Sequence, residues 1–222
     1  MKLLRTYGLC MAVLLSHGCV ESVKQEMPLQ AWGAVFVGDL PGCLWATNAR
    51  IEERVAADPV LDAVVQIGGR LVPHRSDGSY VLDECLDLAP GDEVTMSVER
   101  GFTVSVTTVM PGKPVITAPA AGSTVDASTP VNVAWTPPVP APDFFYVGVD
   151  GAHTATGEDW SRSVEGTETT FAIPAGTLRA VTDGIAVTVN AENTEATITD
   201  PQSTTAILTA AHVAVSEPFS TE

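Results

Sequence analysis

The chain is poor in charge, and what it has is one-sided: 17% of its 222 residues are charged, 11 Lys and Arg against 27 Asp and Glu, for a formal net charge of −16. The few cations are scattered and form no basic patch, so the chain repels phosphate backbones and is not expected to bind nucleic acid. Aromatic residues make up only 6% and cysteines number 4. Catalytic signatures are also missing. The sequence holds no GxSxG, no HExxH, no glycine-rich phosphate loop with its lysine and no EF-hand loop. Its four histidines, His17, His74, His153 and His212, lie far apart and share no ligand spacing. The expectation is therefore a protein that is not an enzyme. A hydrolase using scattered carboxylates that converge in a cleft is the remaining enzymatic alternative.

What is present favours many short strands. Hydrophobic residues make up 45% of the chain, and 18 Gly and 16 Pro punctuate them, which suits an all-β protein with a buried core.

Residues 1–19 read MKLLRTYGLCMAVLLSHGC: two cations, an apolar stretch over 9–15 too short to cross a bilayer, and a small-residue exit. This is an export signal. Its ending resembles the lipobox of bacterial lipoproteins, with Gly18 before Cys19, although Leu15 stands four residues before the cysteine rather than three. The resemblance implies lipidation at Cys19 and a place in the cell envelope, at the outer membrane or cell surface, with membrane contact through the lipid anchor only. Ordinary cleavage, giving a secreted or periplasmic protein, is the alternative. Residues 20–31, largely polar, are expected to be a tether.

Residues 32–110 are expected to form a small sandwich. Strand signals fall at 34–37, 44–47, 63–67, 70–73 and 80–82, with a short helical turn competing over 51–57 ahead of Asp58-Pro59. Gly68-Gly69 marks a hairpin. The clearest local signal is a second hairpin, in which Val94, Met96 and Val98 and then Phe102, Val104 and Val106 alternate with polar residues about Gly101. The succession of turns from Gln66 to Asp92, including LAPGD, resembles transthyretin-like or carboxypeptidase-regulatory-like surface sandwiches. Cys43 and Cys85 remain once Cys10 and Cys19 are assigned to the leader and its end, and in an exported chain they are expected to form a disulfide. It would close a loop of about 43 residues and contribute roughly 4 kcal/mol in the chain-entropy account. A metal or redox pair is the alternative and lacks CxxC spacing. Asp77, Asp83, Glu84, Asp87, Asp92 and Glu93 fall near turns of this region, so the chain is expected to need no cofactor, with calcium as the one cation such oxygen ligands would suit.

Pro111 and Pro114 cannot sit within a central strand, so residues 111–114 are expected to be a stiff linker. Residues 115–216 then form the second sandwich, with 217–222 as a tail. Here Pro130-Val131-Asn132-Val133-Ala134-Trp135-Thr136-Pro137-Pro138, an alternating strand with an inward tryptophan, resembles fibronectin type III and related Ig-like domains, as does the later TTFAIPAGTL over 169–178. The tyrosine that such domains often carry before the sixth strand is absent; Asp183-Gly184-Ile185-Ala186 stands there. Strands are also expected over 143–150, 185–191 and 205–215.

The fold class implied is two tandem antiparallel β-sandwiches after a signal and lipobox. If Phe145, Val147 and Val149 face the core, Phe144 and Tyr146 point outward. With Trp160, expected in a loop, they form a candidate binding patch for a protein or carbohydrate ligand. A structural spacer in an envelope assembly is the alternative function.

Overall fold

The computed structural model describes residues 29–38, 47–53, 58–82, 84, 86–182, 184–199 and 204–222. Among them the chain is all β, with sixteen strands and one 3-10 turn at Gly151–His153. The first seven strands are β1 (Leu29–Gly38), β2 (Thr47–Glu53), β3 (Val64–Ile67), β4 (Arg70–Leu71), β5 (Ser79–Leu82), β6 (Glu93–Glu99) and β7 (Thr103–Val109). After the proline-rich joint come β8 (Val115–Ala118), β9 (Thr124–Val125), β10 (Val131–Thr136), β11 (Phe144–Val149), β12 (Trp160–Glu165), β13 (Thr170–Ile173), β14 (Val187–Thr199), β15 (Thr204–Val215) and β16 (Ser220–Thr221).

One seven-stranded sheet, in the order β12-β11-β14-β15-β1-β2-β5, runs through the molecule. A four-stranded sheet, β4-β3-β6-β7, and a three-stranded sheet, β13-β10-β8, lie against the same face of it. The first layer encloses a core in which Val65, Ile67, Val94, Met96, Val98 and Val104 meet Leu29, Val35, Ile51, Tyr80 and Leu208. The second encloses Val133, Trp135 and Ile173 against Phe145, Val147, Val187 and Val189. The molecule is thus two β-sandwiches that share a wall.

The shared wall depends on the β14–β15 hairpin, whose twelve register pairs run from Thr188↔Val215 to Thr199↔Thr204. Its base pairs with β11, and its other end adds β15 in parallel to β1, from Gln30↔Thr205 to Gly38↔Val213. In the first half of β15, reading TTAILT, the core-facing Thr204, Ala206 and Leu208 are buried and Thr205, Ile207 and Thr209 on the other face are half-buried. Leu29 N–H also donates to Thr204 Oγ1 at 3.2 Å, across 175 residues of sequence.

Local expectations hold where turn chemistry or alternation decides them. Gly68 and Gly69 both adopt positive φ, 56° and 74°, so the β3–β4 turn takes the twist that matches its strands. Val94, Met96, Val98, Val104 and Val106 are buried in the β6–β7 hairpin, as their alternation predicts.

Other expectations are corrected. Leu29, Gln30 and Ala31, placed in a tether, open β1, because a neighbour far along the chain supplies their hydrogen bonds. Ile51, placed at the start of a helical turn, lies in β2 and is fully buried; 54–57 lie outside the described residues. The tail is not free, since Ser220–Thr221 pairs in parallel with Thr124–Val125 and Phe219 enters the second core.

The joint is inlaid rather than spanning a gap, with Met110, Pro111, Gly112 and Pro114 all buried. Met110 exchanges backbone bonds with the 91–92 turn, Gly91 N–H donating to Met110 O and Met110 N–H to Asp92 O, each at 2.8 Å. Two side chains of the shared sheet hold the neighbouring carbonyls. Asn193 Nδ2 donates to Val109 O at 2.8 Å, and His212 Nδ1 bonds Pro111 O at 2.7 Å. A carbonyl only accepts, so Nδ1 carries the proton. A side chain at Gly112 would run into the backbone of Val139, so only glycine fits this approach. Residues 32–110 and 115–216 therefore do not part at 111–114, because 204–213 complete the first sandwich.

Candidate functional site

Residues directly paired across neighbouring strands point to the same side of a sheet, so the registers of the long sheet define its two faces. Phe145, Val147 and Val149 of β11 face the second core, as alternation predicts, and Phe144 and Tyr146 face away. On that outer face Phe144 lies between Glu165 of β12 and Glu192 of β14, and Tyr146 between Ser163 and Asn190. Beyond β14 the same face continues through Ala211 and Val213 of β15 to Phe36 and Gly38 of β1, with Ile207 beside Trp32 further along.

Phe144 and Tyr146 stack edge to face, with ring centroids 5.3 Å apart and planes at 88°. Tyr146 is 38% exposed and Phe144 half-buried. This arrangement places the positive edge of one ring on the negative face of the other and fixes both rings as one surface.

Trp160 does not join them. It is the first residue of β12 rather than part of a loop, and its partner Val149 puts it on the core side of the sheet. There it packs against the second core, with its ring 5.9 Å from that of Phe171 and the Arg162 guanidinium 5.5 Å from its centroid. The expected three-ring patch is therefore a pair, because a strand register, invisible in local sequence, turns the third ring inward.

The face holds one group that alternation alone did not reveal. Glu192 is only 7% exposed, and burial pushes its carboxyl up to about 7, against the opposing effect of a hydrogen bond from the Asn190 side chain. Asn190 Oδ1 is itself buried and has no partner. The sequence pattern supports a strand only as far as Ala191; the Thr-Ile-Thr run at 197–199, strand-favouring by composition, was the available sign that it continues.

The remaining candidates are dispersed. The Asp77 carboxylate accepts from the backbone and hydroxyl of Ser79, which hold its pKa below the usual value, and Asp92 Oδ2 accepts from Ala89 N–H at 2.7 Å. Each is engaged in its own turn. Among the described residues no three His, Cys, Asp or Glu side chains are grouped to hold a metal ion. Cys19, Cys43, Cys85 and Asp83 lie outside the described residues. His74 approaches Tyr80 with ring centroids 6.1 Å apart, His153 sits in the 3-10 turn, and His212 anchors the joint. No described helix is long and apolar enough to cross a membrane.

No protein family and no curated protein matches the chain. Among solved structures, a two-domain fibronectin type III segment of chicken tenascin is 18% identical, with 78% of this chain and 88% of that one covered and a TM-score of 0.24. The FN1–FN3 domains of chicken CNTN1 are 11% identical over 85% of this chain and 68% of that one, with a TM-score of 0.32. The N-terminal Ig1-2 module of the Drosophila receptor protein tyrosine phosphatase DLAR is 13% identical over 88% and 99%, with a TM-score of 0.29. At such scores these likenesses carry no weight for function, and the architecture stands on its own strand pairings.

Proposed function

We propose that the chain is a non-enzymatic binding or adhesion module of the cell envelope, held at the membrane through a lipid on Cys19, with a contact surface on the outer face of the shared sheet around Phe144 and Tyr146. The observation that carries this reading is the aromatic pair itself: two rings locked edge to face on the side of the sheet away from both cores, next to Asn190 and Ser163. Rings of this kind offer contact area at little entropic cost, and flanking amide and hydroxyl groups suit a carbohydrate or a protein surface. Acidic composition fits solubility outside the cell. The Cys43–Cys85 disulfide belongs to the same exported reading.

The test is the double variant Phe144→Ala with Tyr146→Ala in the full chain, screened against immobilised polysaccharides and envelope proteins. Binding falls at least tenfold while the melting transition keeps its cooperativity. Trp160→Ala, which removes a half-buried ring packed against the second core, serves as the contrast and costs stability, about 2 kcal/mol. Unchanged binding in the double variant overturns the reading.

A second reading, a structural spacer, draws on the shared sheet. Two sandwiches with a common wall resist bending more than two joined by a linker alone, as a spacer requires. A spacer tolerates the double variant in every binding assay and fails only when the wall is broken.

A further inference from the structure

Among the described residues Glu192 is the one carboxylate more than nine-tenths buried. It lies opposite Phe144 on β11 and Ala211 on β15, and the next outer-face position beyond Ala211 is Phe36 of β1. Along β14 its same-face neighbours are Asn190 and Thr194. No cation faces it from any of these strands. The charged groups nearest on the adjoining elements are carboxylates: Glu165 of β12, across Phe144, and Asp143, whose Oδ2 accepts from Thr194 N–H at 3.1 Å. Tyr146 is the other titratable group on the β11 side. His212 of β15 points to the opposite face and is bonded to Pro111 O. Arg50 of β2 lies two strands beyond β15 and is paired with Glu52.

Asn190 is the same-face neighbour of Glu192 on β14, its side chain favours the charged carboxyl, and its own Oδ1 is buried without a partner. A carboxylate can only accept, so it satisfies the amide N–H and leaves the amide oxygen bare. A carboxylic acid carries a donor. Protonated, Glu192 can accept from Nδ2 and donate to Oδ1, closing a reciprocal acid–amide pair with no net charge.

We propose that Glu192 and Asn190 form a proton-operated switch on the outer face: one proton taken from solvent closes a neutral acid–amide pair, and its release leaves a buried charge and an unpaired amide oxygen. The raised carboxyl value, about 7, places the change near neutrality. Because the folded state holds this proton more tightly than the unfolded chain, the stabilisation is complete below the ordinary carboxyl value of 4.5. It is lost as pH rises to about 7, with little change beyond. The bearing of the switch on recognition rests on the reading of this face as the contact surface; the titration does not.

The experiment follows glutamate side-chain carboxyl carbons by NMR in the full labelled chain from about pH 4 to about pH 9, with Glu192→Gln identifying the resonance. The expected result is one carboxyl with a midpoint near 7. In parallel melts, wild-type Tm falls by several degrees between about pH 5 and about pH 8 relative to Glu192→Gln, whose neutral amide keeps the closed arrangement. If every glutamate titrates near its ordinary value, or if the two Tm profiles run parallel, the switch is overturned. Should Glu192→Gln fail to fold, the wild-type titration still decides, since it needs only one carboxyl near neutrality. A neutral midpoint in a protein whose Phe144→Ala/Tyr146→Ala variant binds normally removes the recognition reading and leaves the switch standing.

Discussion

The two ends of the β14–β15 hairpin follow the same backbone pattern but have different sequences. At the base, the core-facing positions of β14 are Val187, Val189 and Ala191, all fully buried. Toward the tip they become Asn193, Glu195 and Thr197, while the β15 residues beside them, Ala210, Leu208 and Ala206, remain fully buried. The change comes where β11 ends and β14 loses its outer neighbour, becoming an edge strand. β15 instead keeps β1 beside it from Thr205 to Val213. A strand's composition thus follows the neighbours it has at each point, and one strand can be core in one sandwich and rim in the other.

The largest test of this contrast is Leu208→Ala. Although Leu208 belongs to the last hairpin, its side chain fills the first core, and its loss should cost about 3 kcal/mol. Hydrogen exchange should show the weakening in β6 and β7, about a hundred residues earlier in the chain. Protection there unchanged from wild type, with the loss confined to 131–191, would mean that the wall is not shared.

A smaller effect is expected at the point where the two regimes meet. Asn193 donates to Val109 O and accepts from Asp143 N–H, each at 2.8 Å, so Asn193→Ala leaves Val109 O to find water while Asp143 N–H keeps its bond to Glu192 O at 3.0 Å. The expected cost is about 1 to 2 kcal/mol in urea unfolding, with faster proteolysis at 109–114. Cleavage no faster than wild type would show that the joint holds without the sheet.

The smallest effect belongs to the rim. Ile198 is 72% exposed on the edge portion of β14, and Ile198→Lys should change stability by less than about 0.5 kcal/mol. A cost of several times that would show that this edge is covered in solution.

Alternation made the inward residues of β6, β7, β10 and β11 legible, along with the outward direction of Phe144 and Tyr146. The ring pair was therefore visible before the fold, whereas Trp160 was not, because its direction depends on which residue of β11 it opposes. Glu192 was missed for a related reason. A lone acid after an apolar strand looks solvated, and only the presence of β15 on one side and β11 on the other makes it buried.

By itself the sequence determined strand, turn and face, since side chains alternate by backbone stereochemistry and Gly68 and Gly69 allow positive φ wherever they fall. Tertiary structure decided partnership. Interstrand hydrogen bonds join backbone groups that every residue type shares, so nothing local marks Leu29–Gly38 as the neighbour of a strand near the other end of the chain. That pairing made two expected modules into sandwiches with one common sheet, and the β11–β14 register set the aromatic pair and Glu192 on a single face.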